Sequence, residues 1–436
     1  MTELRHLARF HKAGQGLFFT GSFYRVHDSK EIRYMIDCGS EYKKSLDNEI
    51  ETYIQTYNKE DLNFLILSHL HLDHVSGLEK LLKDFDKDKI NNIFLPYFDL
   101  PTRIFLFLIW KNKIKEIDKS LDWVLDFILQ PVEFLRSRNY QNNIIFIHDS
   151  DDNLKDTQLP IVTLPDIEIK ANNAKIPDEN ELKSARSKNV LHLKNCQILL
   201  YSLVEFDLWY KSCSLSKLEK FKEEIKDIQV KEELKKIKKD SPLYELFKEI
   251  HKDLNDTSLC VSITCENELR PKINSFLLPE DFIQNHRALK VSYFNKYEAN
   301  GKYSEVYSKD EYLHRSYGYN KYSLFAKFGY LFTGDINLAP RSGKENDNFK
   351  SLIIHFLPKA AEIGILIVPH HGSQYSWDSK LLNYLNNPFC VISSGIENKY
   401  RHPDFLVVND IFKKTGWSWT NNEISFDHGV VLKWGR

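Results

Sequence analysis

The chain has 436 residues, enough for one large domain with insertions or for two domains. Hydrophobic residues make up 42% and aromatics 13%, so a sizeable core is available. A net charge of -1 excludes a global basic field for holding nucleic acid, so any such binding must use local patches. The six cysteines, Cys38, Cys196, Cys213, Cys260, Cys265 and Cys390, show no CxxC spacing. They read as reduced, mostly buried thiols of a cytoplasmic protein. Residues 1–6 carry no apolar signal segment, and the run Ile104–Trp110 is too short to span a bilayer. A soluble protein with no membrane span is expected.

Residues 14–40 read as two strands of a hairpin or meander, opened by Gly14–Phe19 and closed by Arg33–Gly39. Residues 45–60 read as a helix. The apolar run Phe64-Leu65-Ile66-Leu67 then has the character of a buried strand. It delivers His69-Leu70-His71-Leu72-Asp73-His74, and Val75–Leu82 reads as the start of the next helix. Imidazole and carboxylate are ligands for zinc, manganese or iron. Four such groups in six residues exceed what one metal takes from so short a loop. The spacing suits two divalent ions, zinc foremost, with His69 and His71 facing one and Asp73 and His74 the other.

Asn91–Pro96 is a further strand, and residues 101–137 carry apolar residues at helical spacing. These helices are expected over the core or beside the mouth of the site. Asn143–Ile147 and Gln197–Tyr201 read as strands. Residues 211–252 are rich in Lys and Glu, with Leu218, Phe221, Ile225 and Ile228 at three- and four-residue steps. That pattern predicts an amphipathic helix, or a helical pair broken at Ser241-Pro242. Leu254–Ile263 returns to strand, and residues 266–320 form a Tyr- and Asn-rich insertion with weak periodicity. Tyr322–Phe332 reads as a tight hairpin turning near Lys327–Gly329.

That hairpin runs into Thr333-Gly334-Asp335. A carboxylate delivered from a buried strand through a glycine suits a bridging metal ligand, and Asp335 is the candidate. The strand Ile365–Val368 precedes His370-His371-Gly372-Ser373, where one of the two histidines can complete the second metal's shell. Phe389–Gly395 is a last strand, leading to Glu397-Asn398-Lys399-Tyr400-Arg401-His402-Pro403.

The hexad His69–His74 resembles the signature of the metallo-β-lactamase-fold hydrolases. This resemblance implies an α/β fold, a four-layer αββα sandwich with a metal site at the sheet edges and mainly helical insertions. It is read as a single domain over residues 1–436, with insertions at about 101–140, 205–252 and 266–320. Asp37, at a strand end before a glycine, matches the family's first motif, whose carboxylate supports the metal loop by hydrogen bonding. Gly14–Gly16, the hexad, Thr333–Asp335, His371–Ser376 and Ser393–Pro403 are similar, in order, to the hydrolase domain of ComEC-type competence proteins. In that subfamily an Asn-Asp-x-Ser-Leu strand start replaces the histidine of the third metal motif. Asn255-Asp256-Thr257-Ser258-Leu259 fits, which places Asn255 or Asp256 beside the metals; Asn320, His148, His192 and His314 are rivals. The chain departs from the subfamily in the long insertion before Thr333, in His370 where a Lys is usual, and in lacking channel segments.

The implied chemistry is metal-assisted hydrolysis, in which a water made acidic by two cations attacks a bound electrophile. Ser373, Asn398 and His402 are the expected stabilisers of charge on the substrate oxygens. Asp73 or Asp335 is expected to orient the water, and His402 to protonate the leaving oxygen. The expected substrate is a phosphodiester of nucleic acid or a nucleotide, partly by analogy with the ComEC-type domain. Lys399 and Arg401 are candidates for holding phosphates, and Tyr375, Trp377 and Tyr400 for stacking on bases. The alternatives are hydrolysis of another ester, or an effector subunit gated by a protein partner docked on the helices of 211–252.

Overall fold

The computed structural model describes residues 2–117, 122–149, 159–164, 166–174, 188–211, 258–265, 271–277, 327–340 and 343–434. Two runs of short parallel strands, one near each end of the chain, carry its architecture. In the first run, β3 (Lys30–Cys38), β4 (Phe64–Ile66), β5 (Asn92–Pro96) and β6 (Asn143–Ile147) pair in parallel. Parallel neighbours need crossovers. Here they are α1 (Lys43–Tyr57), α2 (Leu72–Val75) with α3 (Leu78–Asp84), and α4 (Leu100–Ile117), α5 (Asp122–Leu129) and α6 (Pro131–Ser137). Antiparallel β1 (Thr2–Phe10) and β2 (Phe18–Arg25) extend this layer beside β3.

The chain then passes through β7 (Leu159–Leu164), β8 (Ile167–Asn173), β9 (Val190–Leu200) and β10 (Val204–Tyr210). Strand β9 joins the two layers. Its first residues pair with β6, and its later ones with β8 on one side and β10 on the other. The second layer continues through β11 (Leu259–Cys265), followed in sequence by β12 (Lys272–Leu277) and β13 (Tyr330–Phe332). Its second parallel run is β13, β14 (Ile365–Ile367), β15 (Phe389–Ser393) and β16 (Trp417–Thr420). The crossovers are α7 (Asp347–Phe356), α8 (Lys380–Tyr384) and α9 (Phe405–Lys414). Finally β17 (Phe426–Trp434) returns to the first layer and pairs with β1 and β12.

The layers are visible in the alternation of side chains. In β2, Phe18 faces Tyr53 of α1, while its neighbour Phe19 lies 4.7 Å from Phe332 of the opposite layer. Tyr34 of β3 meets Phe206 of β10 edge-on at 4.8 Å. In the second layer, Tyr330, Phe332, Ile365, Ile367, Phe389 and Val391 belong to the core between the sheets. The residues between them, Leu331, Leu366, Cys390 and Ile392, pack with Leu352 and Phe356 of α7 and Val407 and Ile411 of α9. Each strand therefore serves one face with odd residues and the other with even ones. Helix, sheet, sheet and helix are stacked as the metallo-β-lactamase resemblance implies.

Several expectations are corrected. The Tyr322–Phe332 hairpin is not formed at its second arm, because β13 has β11 on one edge and β14 on the other; residues 322–326 lie outside the described residues. Residues 205–210, read as the start of a charged helical insertion, are strand β10. Residues 272–277, read as irregular, form β12 against β17. The remainder of both insertions, residues 212–257 and 278–320, lies outside the described residues. The helical reading of 101–137 agrees with α4, α5 and α6. Cys38, Cys196, Cys260, Cys265 and Cys390 are free and buried. No helix among the described residues is long and apolar enough to cross a membrane.

A polar seam runs through the core. His6 Nε2 lies 2.8 Å from the Tyr34 hydroxyl, and His428 Nδ1 lies 2.5 Å from the Tyr330 hydroxyl. Burial pushes His428 down to about 4 from an ordinary 6.5, and His148 and His192, a buried pair elsewhere, to about 3 and about 4. These depressed histidines stay neutral when folded, whereas the unfolded chain takes up their protons below its ordinary value. Stability is therefore expected to be full above about pH 6.5 and to fall as pH drops towards 4. The slope is up to about 1.4 kcal/mol per pH unit for each such histidine. Denaturant titrations across this window are expected to give a shallower slope for His428→Gln than for the parent.

Candidate metal centre

The carboxyl ends of parallel strands gather the polar residues, where open α/β sheets place their ligands. Asp37 ends β3, the hexad follows β4, Asp335 follows β13, His370 and His371 follow β14, and the Ser394–Pro403 loop follows β15. Asp73 and His74 lie in the four-residue helix α2 and not in an open loop, and the next helix restarts after Gly77. The backbone turns there because the Gly77 N–H donates to Cys38 O at 2.8 Å. Gly39 permits this approach: a Cβ there would lie 2.3 Å from the His74 carbonyl carbon.

Asp335 is the hub. It is 3% exposed, and its two oxygens face different histidines. Oδ2 lies 3.4 Å from His69 Nε2, 3.9 Å from His71 Nδ1 and 3.7 Å from His370 Nε2. Oδ1 lies 3.4 Å from His74 Nε2 and 3.7 Å from His371 Nε2, and the latter is 3.0 Å from Asp73 Oδ2. Two donor sets result, His69–His71–Asp73–Asp335 and Asp73–His74–Asp335–His371. Within each, the ligand atoms lie within 4.8 Å of one another. Asp73 and Asp335 belong to both.

Supporting hydrogen bonds settle which nitrogen each histidine presents. Asp37, fully buried, accepts from the Ser68 N–H and hydroxyl, both at 2.6 Å, and from His74 Nδ1 at 2.7 Å. The single Ser68 hydroxyl proton goes to Asp37, so Ser68 Oγ accepts from His69 Nδ1 at 3.0 Å. His371 Nδ1 donates to Ser393 O at 2.7 Å. All three rings therefore turn Nε2 inward. Nε2 of His69 and His74, and Oδ1 of Asp335, are buried there without a hydrogen-bond partner.

The electrostatics call for positive charge. Burial would raise Asp335 and Asp73. His370, His69, His74 and His371 outweigh it at Asp335, as His371 and His74 do at Asp73, and hold both well below the usual carboxylate range. Burial keeps His69 and His71 low and neutral. Burial also pulls His74 and His371 down, yet Asp37 with Asp335, and Asp335 with Asp73, outweigh it and raise them. A divalent cation answers the same demand, displacing protons from the ligand nitrogens. Ionised carboxylates, inward imidazole nitrogens and unpartnered buried atoms together fit divalent metal ions.

The backbone here is strained. His370 and His371 both adopt left-handed φ, at 47° and 57°, and so does Asp37 at 56°. Each costs about 1–3 kcal/mol in a non-glycine residue, a strain typical of functional sites. The His370 N–H donates to Gly334 O at 3.0 Å, tying the histidine pair to the Asp335 turn. Gly334, at φ 54°, passes over Ser258, whose hydroxyl accepts from the Asp335 N–H at 3.0 Å.

Other expected residues lie at the rim. His402 is buried, its ring 5.8 Å from that of His370, and burial followed by His371 and His370 pushes it down to about 3. Ser373 is buried, and its hydroxyl accepts from the Tyr375 N–H at 3.3 Å. Asn398 spends both amide N–H groups on Gly395 O and His402 O, so it shapes the loop and offers no donor to a substrate oxygen. Trp377 is buried and donates to Asp410 at 3.2 Å, which excludes base stacking. Tyr375 is exposed, while Lys399 lies over the Tyr400 ring and pairs with Glu41. His148 and His192 bond to each other at 2.9 Å and join neither donor set. Asn255, Asp256, His314 and Asn320 lie outside the described residues. Sequence reasoning missed Ser68, which only its contacts with Asp37 and two histidines reveal.

A family model described as Anti-Pycsar protein Apyc1 matches residues 17–99, the stretch that carries Asp37 and the hexad. Comparison with curated protein sequences gives no significant match. Among solved structures, a long form RNase Z from yeast is similar at 10% identity and a TM-score of 0.32; the alignment covers 96% of this chain and 41% of the yeast protein. The metallo-beta-lactamase fold protein YhfI from Bacillus subtilis is similar at 7% identity, a TM-score of 0.34 and coverages of 97% and 99%. Yeast PDE1 is similar at 7% identity, a TM-score of 0.36 and coverages of 98% and 99%. At such low scores no activity or substrate transfers from these proteins.

Removing the shared carboxylate is expected to matter most. Asp335→Ala should abolish uptake of more than a trace of divalent metal, measured by elemental analysis after dialysis. Asp37→Asn, which leaves the ligand atoms in place but loosens the His74 and Ser68 bonds, should weaken metal affinity by about 10–100-fold.

Proposed function

We propose that the chain is a metal-dependent phosphodiesterase acting on nucleic acid or nucleotides. The observation that carries this reading is the pair of overlapping donor sets joined through Asp73 and Asp335. His69, His71, Asp73 and Asp335 would hold one divalent ion, and Asp73, His74, Asp335 and His371 the other. When bound, such a pair supplies Lewis acidity and an activated water, which suits a phosphoryl group with several oxygens to clamp.

The chain's own residues do the rest. Asp37 and Ser68 fix the ring orientations of His69 and His74, and Ser393 O fixes that of His371. The left-handed turn at His370–His371 brings both rings to Asp335. His402 borders the centre and is the group placed to donate to charge developing on a substrate oxygen, while His370 is held by Ser376 Oγ at Nδ1 and faces Asp335 through Nε2. Asp73 and Asp335, held ionised, are the groups able to orient a water by accepting its hydrogen bond. The Apyc1 family match covers the stretch holding Asp37 and the hexad and is compatible with this reading. The same donors serve other esters, so substrate choice must be measured.

Purified chain supplied with zinc or manganese is expected to cleave a chromogenic phosphodiester, or labelled RNA, single-stranded DNA or double-stranded DNA. Asp335→Ala and His71→Ala should lower kcat by about 100-fold or more. Cleavage of none of these, beside rapid turnover of a phosphomonoester or carboxylic ester, would overturn the reading.

A further inference from the structure

The loops that follow β14 and β15 border the candidate metal centre, and they leave apolar and basic side chains at the surface. Among the described residues, large apolar side chains are exposed at few places, and Tyr375, Tyr400 and Leu406 lie on these loops or on the first turn of α9 beyond them. Tyr375 is 74% exposed and meets no other ring or cation among the described residues. Its backbone is held on both sides. The Tyr375 N–H donates to Ser373 Oγ, and the Gln374 N–H donates to Asp404 Oδ2 at 2.9 Å. Ser376 is buried, with its hydroxyl 3.0 Å from His370 Nδ1, and His370 Nε2 lies 3.7 Å from Asp335. The turn that carries Tyr375 is therefore fastened to the metal centre. Tyr375 also follows His371 by only four residues, so their Cα atoms are at most about 14 Å apart.

The other aromatic candidates are engaged. Trp377 is buried. Tyr400 donates to Glu41 at 3.1 Å, with Lys399 Nζ 4.8 Å over its ring and the His402 ring stacked beside it at 5.8 Å. The cations sort in the same way. Lys399 pairs with Glu41 at 3.3 Å, whereas Arg401 is exposed and, among the described residues, meets no carboxylate. Arg401 stands at the apex of a tight turn with a left-handed φ of 62°. Its N–H donates to Asn398 O at 3.1 Å, and the His402 N–H donates to Asn398 Oδ1 at 2.9 Å. Left-handed backbone is unfavourable for an arginine, and these bonds hold it. The next residue, His402, has its ring 5.8 Å from that of His370. An open aromatic ring and an unpaired guanidinium thus stand on pinned backbone in two loops that meet at His370. In a chain of net charge -1, a local cation of this kind is what holds a phosphate.

We propose that these two loops form a binding track for single-stranded nucleic acid, with Tyr375 stacking on an unpaired base and Arg401 holding a phosphate next to the scissile one. Stacking on an exposed ring needs a base free of its own neighbours, and a duplex keeps its bases in the stack. The inference rests on the phosphodiesterase reading and narrows its substrates to single strands.

Binding and cleavage are read separately. Fluorescence anisotropy of the full chain, dialysed free of metal, measures affinity for labelled oligothymidylate and for the same strand in a duplex with oligoadenylate. The single strand is expected to bind more tightly by at least about tenfold. Tyr375→Ala should lose about tenfold in single-strand affinity, and Tyr375→Trp should keep it. Arg401→Gln should make the slope of log affinity against log salt shallower by about 0.7, and Arg401→Lys should restore it. With manganese supplied, Tyr375→Ala should raise KM for the single strand by about tenfold at nearly unchanged kcat. Equal affinity for single strand and duplex, unchanged single-strand affinity in Tyr375→Ala, or an unchanged salt slope in Arg401→Gln would each overturn the proposal. If the strand binds as expected and the manganese-loaded chain cleaves no phosphodiester, the phosphodiesterase reading fails and the track stands. If the chain cleaves single strand and duplex with equal kcat/KM, the track fails and that reading stands.

Discussion

Asp335 is an ionised carboxylate with almost no access to water, and much of the site follows from that. Burying such a group costs several kcal/mol unless positive charge or donors surround it. The surrounding groups come from both layers of the sandwich. His69, His71 and His74 arrive from the loop and short helix after β4 in one layer, and His370 and His371 from the turn after β14 in the other. Neither layer holds enough donors alone. The face-to-face packing of Phe19, Tyr34, Phe206 and Phe332 therefore does more than form a core; it sets the distance across which these imidazoles meet one carboxylate.

The same need explains where strain is tolerated. Left-handed backbone at Asp37, His370 and His371 is unfavourable in isolation, and each of these residues is pinned by a hydrogen bond that only the assembled site provides. Asp37 receives Ser68 and His74; the His370 N–H reaches Gly334 O; His371 reaches Ser393 O. Supporting bonds of this kind set ring orientation and tautomer, and so govern how well imidazoles serve as ligands. They also couple strands far apart in sequence, since the Ser393 hydroxyl bonds Gly16 O and the Gly395 N–H bonds the Gln15 side chain.

Outside the site, a second buried charge cluster has a structural role. Lys359, which follows α7, contacts both Glu205 and Asp207 of β10, and His355 of α7 reaches Asp207 at 3.0 Å. The acidic strand is thereby neutralised by the helix that covers it. Removing Lys359 would leave two buried acids short of a partner, so the cluster ties α7 to β10. Their position on the outer face keeps them apart from the metal loop, which opens at the strand ends.

The sequence by itself determined the ligand-rich loops and the strands that deliver them. A three-residue apolar strand followed by His-x-His-x-Asp-His, or by Gly-Asp, is a local pattern, and local patterns survive in one dimension. It also indicated the helices of 101–137, although only α5 carries its apolar residues on one face, while residues 104–108 of α4 are buried all round. Only the tertiary structure decided which donors share a carboxylate oxygen, that Ser68 links Asp37 to His69, that Trp377 is buried, and that Asn398 bonds its own loop. The first three depend on a partner tens to hundreds of residues away, whereas Asn398 bonds Gly395 and His402 within a loop whose backbone only the fold sets. Strand β10 was missed although Val-Glu-Phe-Asp-Leu alternates as a strand does, because the Lys- and Glu-rich run after it set the start of the helical insertion at about 205; Lys359 and His355, about 150 positions later, neutralise its two acids. Side-chain chemistry is written locally, whereas the pairing of buried charges is a property of the packed layers.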